Sequence, residues 1–251
     1  MQRRELLGWG AGVLATAAMP SWAQADEIRI GVLTPLTGGG ANYGTGMQRM
    51  YQLVADEINQ AGGISGRKIR LFTEDDQTNP DAGVRGARKL VDVHKVHAIV
   101  GTWSSAVTVA VAPVVVASKT LFLTVSSSQD ITTLKDDDLV FPTSTSEGVR
   151  SKVFATAALR QRHKRAALML LNNSYGIGLG DAFAQNYQKM GGTVTARVVY
   201  NPNQVSYRTE IEQVFASKPD MILFGGYTPD GIQIFREASQ PGKSGLWGSS
   251  A

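Results

Sequence analysis

The chain has 251 residues, of which 43% are hydrophobic and 18% charged, the composition of an ordinary globular protein with one large or two modest domains. It contains no cysteine, which excludes thiolate catalysis, cysteine-ligated metals and disulfides. The formal net charge is only +4 at pH 7, which argues against nucleic acid as the main partner.

Residues 1–25 have the layout of a secretory signal peptide. Arg3-Arg4 give a positive start, residues 6–18 form an apolar run too short to span a membrane, and Ala23-Gln24-Ala25 is a small-x-small cleavage site. The order Arg-Arg-Glu-Leu-Leu also resembles a twin-arginine signal, and a general secretory signal is the alternative. We expect cleavage after Ala25, export to the periplasm, a mature net charge of +3 and no later insertion into the membrane.

Strand and helix patterns alternate from residue 28 onward. In the first block, strands are predicted over residues 28–33, 68–73, 98–100, 121–125 and 139–141, and helices over residues 47–58, 81–93 and 107–117. Apolar residues recur at helical spacing from Met47 to Ile58, and Gly62-Gly63 ends that helix. This alternation predicts parallel strand pairing with right-handed crossovers.

The pattern restarts after residues 141–147. In the second block, strands are predicted over residues 166–171, 194–200 and 221–224, and helices over residues 149–159, 181–190, 207–216 and 231–238. We therefore predict an α/β fold of two doubly wound lobes with mainly parallel sheets around a ligand cleft, with domains 26–143 and 144–251. Residues 245–251 look like one more strand, and because the chain stops there we expect it to be a C-terminally truncated fragment with an incomplete second lobe.

Patterns that would indicate catalysis or a cofactor are weak. Neither a Walker A loop nor a nucleophile elbow is present, and Gly176-Ile-Gly-Leu-Gly180 departs from the dinucleotide fingerprint because Asp181 takes the position of its third glycine. His94 and His97 straddle a predicted turn, so we interpret them as solvated histidines and not as metal ligands. We predict no cofactor, no metal and no catalytic residue.

One acidic cluster leaves two interpretations open. Glu74-Asp75-Asp76 end a predicted strand and are suited to acid–base or metal chemistry. Asp and Asn also stabilise turns and helix starts, and Asn79-Pro80-Asp81 just afterwards has the pattern of a helix start. The second interpretation is the simpler one.

Small hydroxyl residues, paired glycines or tyrosine follow four of the predicted strands. Ligands bind at the carboxyl ends of strands in open α/β sheets, and hydroxyls with free backbone N–H groups bind a carboxylate without a charged residue. Each serine alone is an ordinary N-cap, and a lone aromatic residue is usually part of a core, but together they predict a small-molecule site with flat apolar walls. The candidate ligand-binding residues are Tyr43, Trp103, Ser104, Ser105, Ser126, Ser127, Ser128, Tyr175 and Tyr227.

Several segments in combination resemble a known family. They are residues 30–38 (Ile-Gly-Val-Leu-Thr-Pro-Leu-Thr-Gly), 41–44 (Ala-Asn-Tyr-Gly), 61–66 (Ala-Gly-Gly-Ile-Ser-Gly), 74–76, 100–105, 173–176 (Asn-Ser-Tyr-Gly) and 225–227 (Gly-Gly-Tyr). From about residue 28 to the end, the chain resembles the periplasmic solute-binding proteins of ABC transporters for branched-chain amino acids and amides, the leucine-binding type.

The resemblance implies two lobes around a cleft, joined by several crossing segments. It implies that Ser105 and Ser128 bind the ligand carboxylate, that the region of Ser126 offers a carbonyl to the ammonium group, and that the four aromatic residues line the side-chain pocket. The family usually adds an acidic residue just after the last strand, and residues 248–251 of this chain contain none. It also has a further portion that returns to the first lobe and is not in this sequence.

The predicted function is therefore that of a periplasmic solute-binding protein. It would capture an amino acid, an amide or a small carboxylate by hinge closure and deliver it to a membrane ABC permease. The alternatives are a ligand sensor with the same cleft, or an exported α/β enzyme that uses Glu74, Asp75 or Asp76.

Overall fold

A computed structural model describes residues 27–240 and 247–249. The predicted signal peptide, residues 1–25, and most of the last predicted strand therefore lie outside the described residues. Within the described part of the chain, no helix combines the length and the apolar character that crossing a membrane requires.

Nine strands form two parallel sheets among the described residues. The strands are β1 (Ile28–Thr34), β2 (Ile69–Asp75), β3 (Ala98–Gly101), β4 (Leu121–Thr124), β5 (Val140–Pro142), β6 (Arg165–Leu171), β7 (Thr193–Tyr200), β8 (Met221–Gly225) and β9 (Trp247–Ser249). The first sheet has the order β2-β1-β3-β4-β5 and the second the order β7-β6-β8-β9. Every pairing between these strands is parallel, which confirms the predicted α/β fold of two doubly wound lobes.

Helices connect consecutive strands in both lobes. They are α1 (Ala41–Gln60), α2 (Pro80–Arg88), α3 (Ser105–Ala117), α4 (Glu147–Arg160), α5 (Ser174–Lys189), α6 (Arg208–Ala216) and α7 (Thr228–Ser239). A π-helical turn (Lys89–Val93) continues α2, and a 3₁₀ turn (Gln129–Thr133) follows β4. The boundary predicted between residues 143 and 144 falls between β5 and α4, and it stays a prediction.

Each lobe has its own hydrophobic core. In the first lobe Leu33, Ile99 and Phe122 are fully buried under the packed pair α2 and α3. In the second lobe residues 166–171 are all buried, as expected for a parallel strand covered on both faces. Exclusion of this apolar surface from water is the main force that holds each lobe together.

Two helices begin six or seven residues earlier than the sequence pattern predicts, and the other starts differ by three residues or fewer. α1 starts at Ala41 and not at residue 47, so Tyr43 lies in its first turn. α5 starts at Ser174 and not at residue 181, because the side chain of Asn173 accepts a hydrogen bond from the N–H of Gly176 at 2.9 Å and caps the helix there. The glycines before residue 181 masked this start, since glycine is a weak helix former.

The strand order reverses once in each sheet. β1 lies between β2 and β3, and β6 lies between β7 and β8. Connections that leave the two strands of such a pair go to opposite faces of the sheet, and a crevice opens between them at the carboxyl ends. In this protein those connections are residues 35–43 and 102–105 in the first lobe, and residues 172–175 and 226–228 in the second.

Two glycines in α1 provide a test of how this crevice is built. A Cβ on Gly44 would lie 1.8 Å from the carbonyl oxygen of Pro35, whereas a Cβ on Gly46 would meet no atom within 4 Å. We expect Gly44→Ala to lower the free energy of unfolding by about 2 kcal/mol or more, because α1 must move away from the loop after β1. Gly46→Ala should be neutral or stabilising by up to about 1 kcal/mol, because alanine favours the helix.

Urea unfolding followed by circular dichroism measures both changes. Equal effects of the two substitutions would contradict the close approach of α1 to Pro35.

Candidate ligand-binding site

A cavity of about 180 Å³ lies between the two lobes. It is lined by Tyr43, Trp103, Ser105, Val125, Ser127, Arg150, Tyr175, Gly226 and Tyr227. Six of these nine residues were predicted as site residues from the sequence. The volume is well below the roughly 300 Å³ at which pockets for drug-sized molecules begin. A cavity of this size suits a small solute.

Four aromatic rings form one continuous wall of this cavity. Tyr43 stacks on Trp103 with ring centroids 4.7 Å apart, Trp103 meets Tyr227 at 4.5 Å, and Tyr227 stacks near Tyr175 at 5.7 Å. The first two rings belong to the first lobe and the last two to the second. The contact between Trp103 and Tyr227 therefore joins the lobes through an apolar surface.

The neighbouring glycines predict that Tyr175 and Tyr227 both lie in loops, which is wrong for Tyr175 but holds for Tyr227, in the short loop between β8 and α7. Tyr175 lies in the first turn of α5, and Tyr227 is the residue that precedes the first turn of α7. Both side chains are buried. Helix starts fix the two rings more firmly than loops would, because the backbone on one side of each is hydrogen-bonded in a helix.

The hydroxyl of Tyr227 makes the main polar bridge across the crevice. It accepts a hydrogen bond from Nδ2 of Asn173 at 3.0 Å and lies 3.1 Å from Oγ of Ser104. Because Asn173 supplies the donor on one side, the tyrosine proton is free to go to Ser104. Burial raises the pKa of Tyr227 to about 12, so the hydroxyl stays protonated and able to donate at neutral pH.

Ser104 is therefore not the simple helix cap that its position before α3 suggests. Its side chain makes no capping bond to α3 and turns to Tyr227 of the other lobe. Ser104 also lines a second depression of about 660 Å³, which shares only Tyr227 with the smaller cavity. Ser104 thus lies at the wall between the two spaces.

The remaining serines fall into two groups. Ser105 and Ser127 line the cavity, whereas Ser126 and Ser128 lie buried behind it. Oγ of Ser105 accepts the N–H of Ser128 at 3.3 Å, and Oγ of Ser128 donates to the carbonyl of Ser174 in the second lobe, also at 3.3 Å. Ser128 thus supports both the cavity serine and the contact between lobes.

Ser126 belongs to a buried network of hydroxyls that sequence reasoning missed. Its Oγ lies 2.6 Å from Oγ1 of Thr108 and 3.0 Å from Oγ1 of Thr124, and Thr102 bonds to both threonines. The network ties the ends of β3 and β4 to α3. The available signal was the placement of Thr102 and Thr124 at two strand ends that are neighbours in the sheet.

Besides the threonines of this network, sequence reasoning also missed Glu147. It is fully buried at the start of α4, where its Oε1 lies 3.5 Å from Oγ of Ser127 and its Oε2 has no hydrogen-bond partner. Burial raises the pKa of Glu147 to about 8, and the positive charge of Arg150 lowers it only in part. The carboxyl group is therefore mostly protonated at neutral pH.

Arg150 lines the cavity one turn along α4 from Glu147. The sequence contained a signal for it, because a cation in the first turn of a helix opposes the helix dipole and needs another reason to be there. The helix predicted over residues 149–159 already places Arg150 in that turn.

The acidic cluster after β2 holds loops in place. Asp75 accepts hydrogen bonds from the N–H groups of Leu36, Thr37 and Gln77 and from the Thr37 hydroxyl, and Glu74 pairs with Lys89 at 2.7 Å. Burial alone would raise the pKa of Asp75, but these hydrogen bonds outweigh it and hold the pKa below its ordinary value.

Asp76 is fully buried and accepts the N–H of Thr78 at 2.8 Å, and burial raises the pKa of Asp76 to about 6. The predicted helix start is confirmed, because Asn79 caps α2 through the N–H of Ala82. The turn-and-cap interpretation therefore accounts for most of the polar groups in this cluster.

The two histidines of the first lobe have structural partners. His94 stacks on Phe72 at 4.6 Å, and Nδ1 of His97 accepts the N–H of Arg29 at 3.0 Å. His97 is exposed, as the sequence interpretation expects, whereas the side chain of His94 is half-buried, with 27% of it exposed. Across the described residues no group of three or more His, Asp or Glu side chains is arranged to hold a metal ion.

Fold and site together define a two-lobed α/β protein with an aromatic cavity between its lobes. The profile of the family described as periplasmic binding protein matches residues 27–246. The chain belongs to this family, and the resemblance seen in the sequence is confirmed.

Relatives and solved structures agree with this assignment. The chain is 31% identical over 228 residues to the Leu/Ile/Val-binding protein BraC3 of Rhizobium johnstonii. The matched residues cover 90% of this chain and 62% of that protein. It therefore spans a little under two thirds of the length of that curated relative.

Two solved structures share the fold. One is the branched-chain amino acid transporter substrate-binding protein LivJ of Streptococcus pneumoniae in complex with isoleucine, with a TM-score of 0.80, 24% identity and coverage of 89% of this chain and 64% of that one. The other is a solute-binding protein of an ABC transporter from Rhodopseudomonas palustris in complex with 3,4-dihydroxy benzoic acid, with a TM-score of 0.75, 21% identity and coverage of 86% and 59%.

The buried carboxyl group of Glu147 predicts a pH-dependent stability. Between its ordinary pKa of 4.5 and its folded pKa of about 8, the folded state holds a proton that the unfolded state has lost. The free energy of unfolding should therefore fall as the pH rises through this window, by up to about 1.4 kcal/mol per pH unit, and level off above it. Glu147→Gln should flatten the slope between pH 6.5 and 8.

Urea unfolding at several pH values measures this slope, and Glu212→Gln, which removes an exposed carboxylate from α6, is the matched control. A slope that is the same in the wild type and in Glu147→Gln would show that Glu147 is ionised in the folded protein.

Proposed function

We propose that this protein is an extracytoplasmic solute-binding protein that captures one small polar solute, an amino acid, an amide or a small carboxylate, in the cavity between its lobes. The observation that carries the proposal is the cavity of about 180 Å³, which is lined by aromatic rings from both lobes and by serine hydroxyls at strand ends of the first lobe. Ligands of open α/β sheets bind at such strand ends, where the strand order reverses.

The chemistry of the related proteins supports a ligand with a carboxyl group. One relative is named for binding leucine, isoleucine and valine, and the two solved structures hold isoleucine and 3,4-dihydroxy benzoic acid. All of these compounds are small and carry a carboxyl group. The N-terminus of α3 begins at Ser105 beside the cavity, and free N–H groups at a helix start favour an anion.

Each candidate residue receives a role in this proposal. Ser105 and Ser127 donate hydrogen bonds to the ligand, and Ser128 and Ser126 hold them in place. Ser104 and Tyr227 close the cleft. The flat walls on which the body of the ligand lies are Tyr43, Trp103, Tyr175 and Tyr227.

The proposed activity is binding of the solute without chemical conversion, followed by its delivery to a transporter. Hinge rotation of domain 144–251 towards domain 26–143 would close the cleft, and the closed form would dock on a membrane ABC permease. Export through the signal peptide of residues 1–25 would place the protein in the periplasm. Membership of the periplasmic binding protein family supports these steps.

Two serine substitutions test the site. Ser105→Ala and Ser127→Ala each remove a hydroxyl from the cavity, and we expect each to weaken ligand binding about 3- to 15-fold, the effect of one lost hydrogen bond. Ser118→Ala, at the opposite end of α3 and exposed, is the matched control and should leave affinity unchanged.

Isothermal titration against amino acids, amides and small carboxylates supplies the affinities, and fluorescence of Trp103 reports entry of a ligand. The proposed function fails when no compound of the panel binds the wild-type protein, or when a bound compound is chemically converted.

The bridge between the lobes makes a separate prediction. Tyr227→Phe removes the hydroxyl that bonds to Ser104 and Asn173, so the closed form should lose about 1–3 kcal/mol relative to the open form. Small-angle X-ray scattering with saturating ligand should then show a larger radius of gyration than for the wild type.

Tyr187→Phe is the control, because its hydroxyl bonds to the carbonyl of His163 within the second lobe. It should lower stability and leave the ligand-induced compaction intact. Full compaction of Tyr227→Phe would rule out the bridge as a closing contact.

A further inference from the structure

The charge of the proposed cavity comes from one side chain. In the described part of the chain, Arg150 is the one lining residue that carries a charge at neutral pH, and the lining contains no Asp or Glu. The remaining polar side chains are hydroxyls. A zwitterionic amino acid carries an ammonium group as well as a carboxylate, and this lining offers the ammonium group only neutral hydroxyl acceptors, whereas it offers the carboxylate a positive charge.

Arg150 has no charged partner in contact with it. Among the described residues it forms no ion pair within 4 Å, although it lies only one turn from Glu147. Because burial keeps the Glu147 carboxyl mostly protonated at neutral pH, that group does not neutralise the guanidinium. The positive charge is therefore available to whatever occupies the cavity.

The position of Arg150 has a cost that a ligand would offset. The first turn of α4 presents the positive end of the helix dipole, and the N-terminus of α3 at Ser105 adds another. Both disfavour a cation and both favour an anion in the same space. The unfavourable charge of the empty cavity becomes favourable once a carboxylate is bound.

Apart from Arg150 and the two serines, the lining of the cavity is mostly aromatic. The rings of Tyr43, Trp103 and Tyr227 follow one another at centroid distances of 4.7 and 4.5 Å. Aromatic rings pair with a further ring in offset-stacked or edge-to-face arrangements, and a guanidinium binds a planar carboxylate through two parallel hydrogen bonds. Both surfaces match a planar molecule.

We infer that the ligand is an aromatic carboxylate without an ammonium group, and that Arg150 is the residue that selects it. This inference rests on the proposed function, since it requires that the cavity is the ligand site. It goes further by naming the substrate class and by separating this chain from binding of branched-chain amino acids.

Three compounds of equal heavy-atom count test the inference by isothermal titration. Benzoate carries the carboxylate and the ring, benzamide keeps the ring without the charge, and leucine keeps the carboxylate but adds an ammonium group and lacks the ring. We expect benzoate to bind at least 10-fold more tightly than either of the other two. Its affinity should also fall between about 0.05 and 0.5 M salt, because an ion pair is screened.

Substitutions of Arg150 identify its contribution. Arg150→Gln should weaken benzoate binding by about 10- to 100-fold and change benzamide binding by less than about 3-fold. Arg150→Lys, which keeps the charge but loses the paired hydrogen bonds, should be intermediate. Lys152→Gln makes the same change of charge on the exposed side of α4 and should have no effect, and thermal unfolding confirms that each variant is folded.

The outcomes separate the two levels of the proposal. Tighter binding of leucine than of benzoate, or benzoate binding that is equal in the wild type, Arg150→Gln and Arg150→Lys, overturns the aromatic carboxylate and leaves the solute-binding function standing. Failure of the wild-type protein to bind benzoate, leucine, or any other amino acid, amide or carboxylate overturns both.

Discussion

The reversal of strand order beside β1 and beside β6 is the constraint on which the rest of the site depends. At such a reversal, the connections that leave two neighbouring parallel strands run to opposite faces of the sheet. Neither connection fills the gap between the two strand ends. The two lobes bring two such gaps together. Trp103 follows β3, Tyr175 follows β6 and Tyr227 follows β8. The strand order of each lobe therefore places these rings at the gaps, independently of the contacts between the lobes.

Sequence patterns predicted the fold well for a physical reason. Buried parallel strands are short apolar runs, and the helices between them carry apolar residues at regular spacing, so both signals are local. The errors lie at helix starts. Asn173 begins α5 ahead of a glycine-rich stretch, and its capping bond to Gly176 depends on the orientation of one side chain, which a pattern does not contain.

The sequence predicted site residues only where a hydroxyl or aromatic side chain follows the end of a strand. Tyr43, Trp103, Ser105, Ser127, Tyr175 and Tyr227 line one cavity, and all follow strands in the sequence. Ser126 and Ser128 satisfy the same rule, yet they lie behind the cavity, because successive residues of an extended segment point to opposite sides. Arg150 and Glu147 come from a helix that follows a crossing segment, and the nearest predicted site residue to Glu147, Ser127, is 20 residues away in the chain.

The pair formed by Glu147 and Arg150 links the selectivity of the cavity to the joint between the lobes. Oε1 of Glu147 lies 3.5 Å from Oγ of Ser127 in the first lobe, and its Oε2 faces Gly178 of the second, where a Cβ would lie only 2.6 Å away. Were Glu147 ionised, it would neutralise Arg150, but a buried carboxylate with one unpartnered oxygen is too costly in this contact. Close packing of the lobes thus keeps the acid protonated, and the protonated acid keeps the guanidinium charge free. An anion bound beside this charge contacts residues of both lobes, so the ligand and the closure stabilise each other.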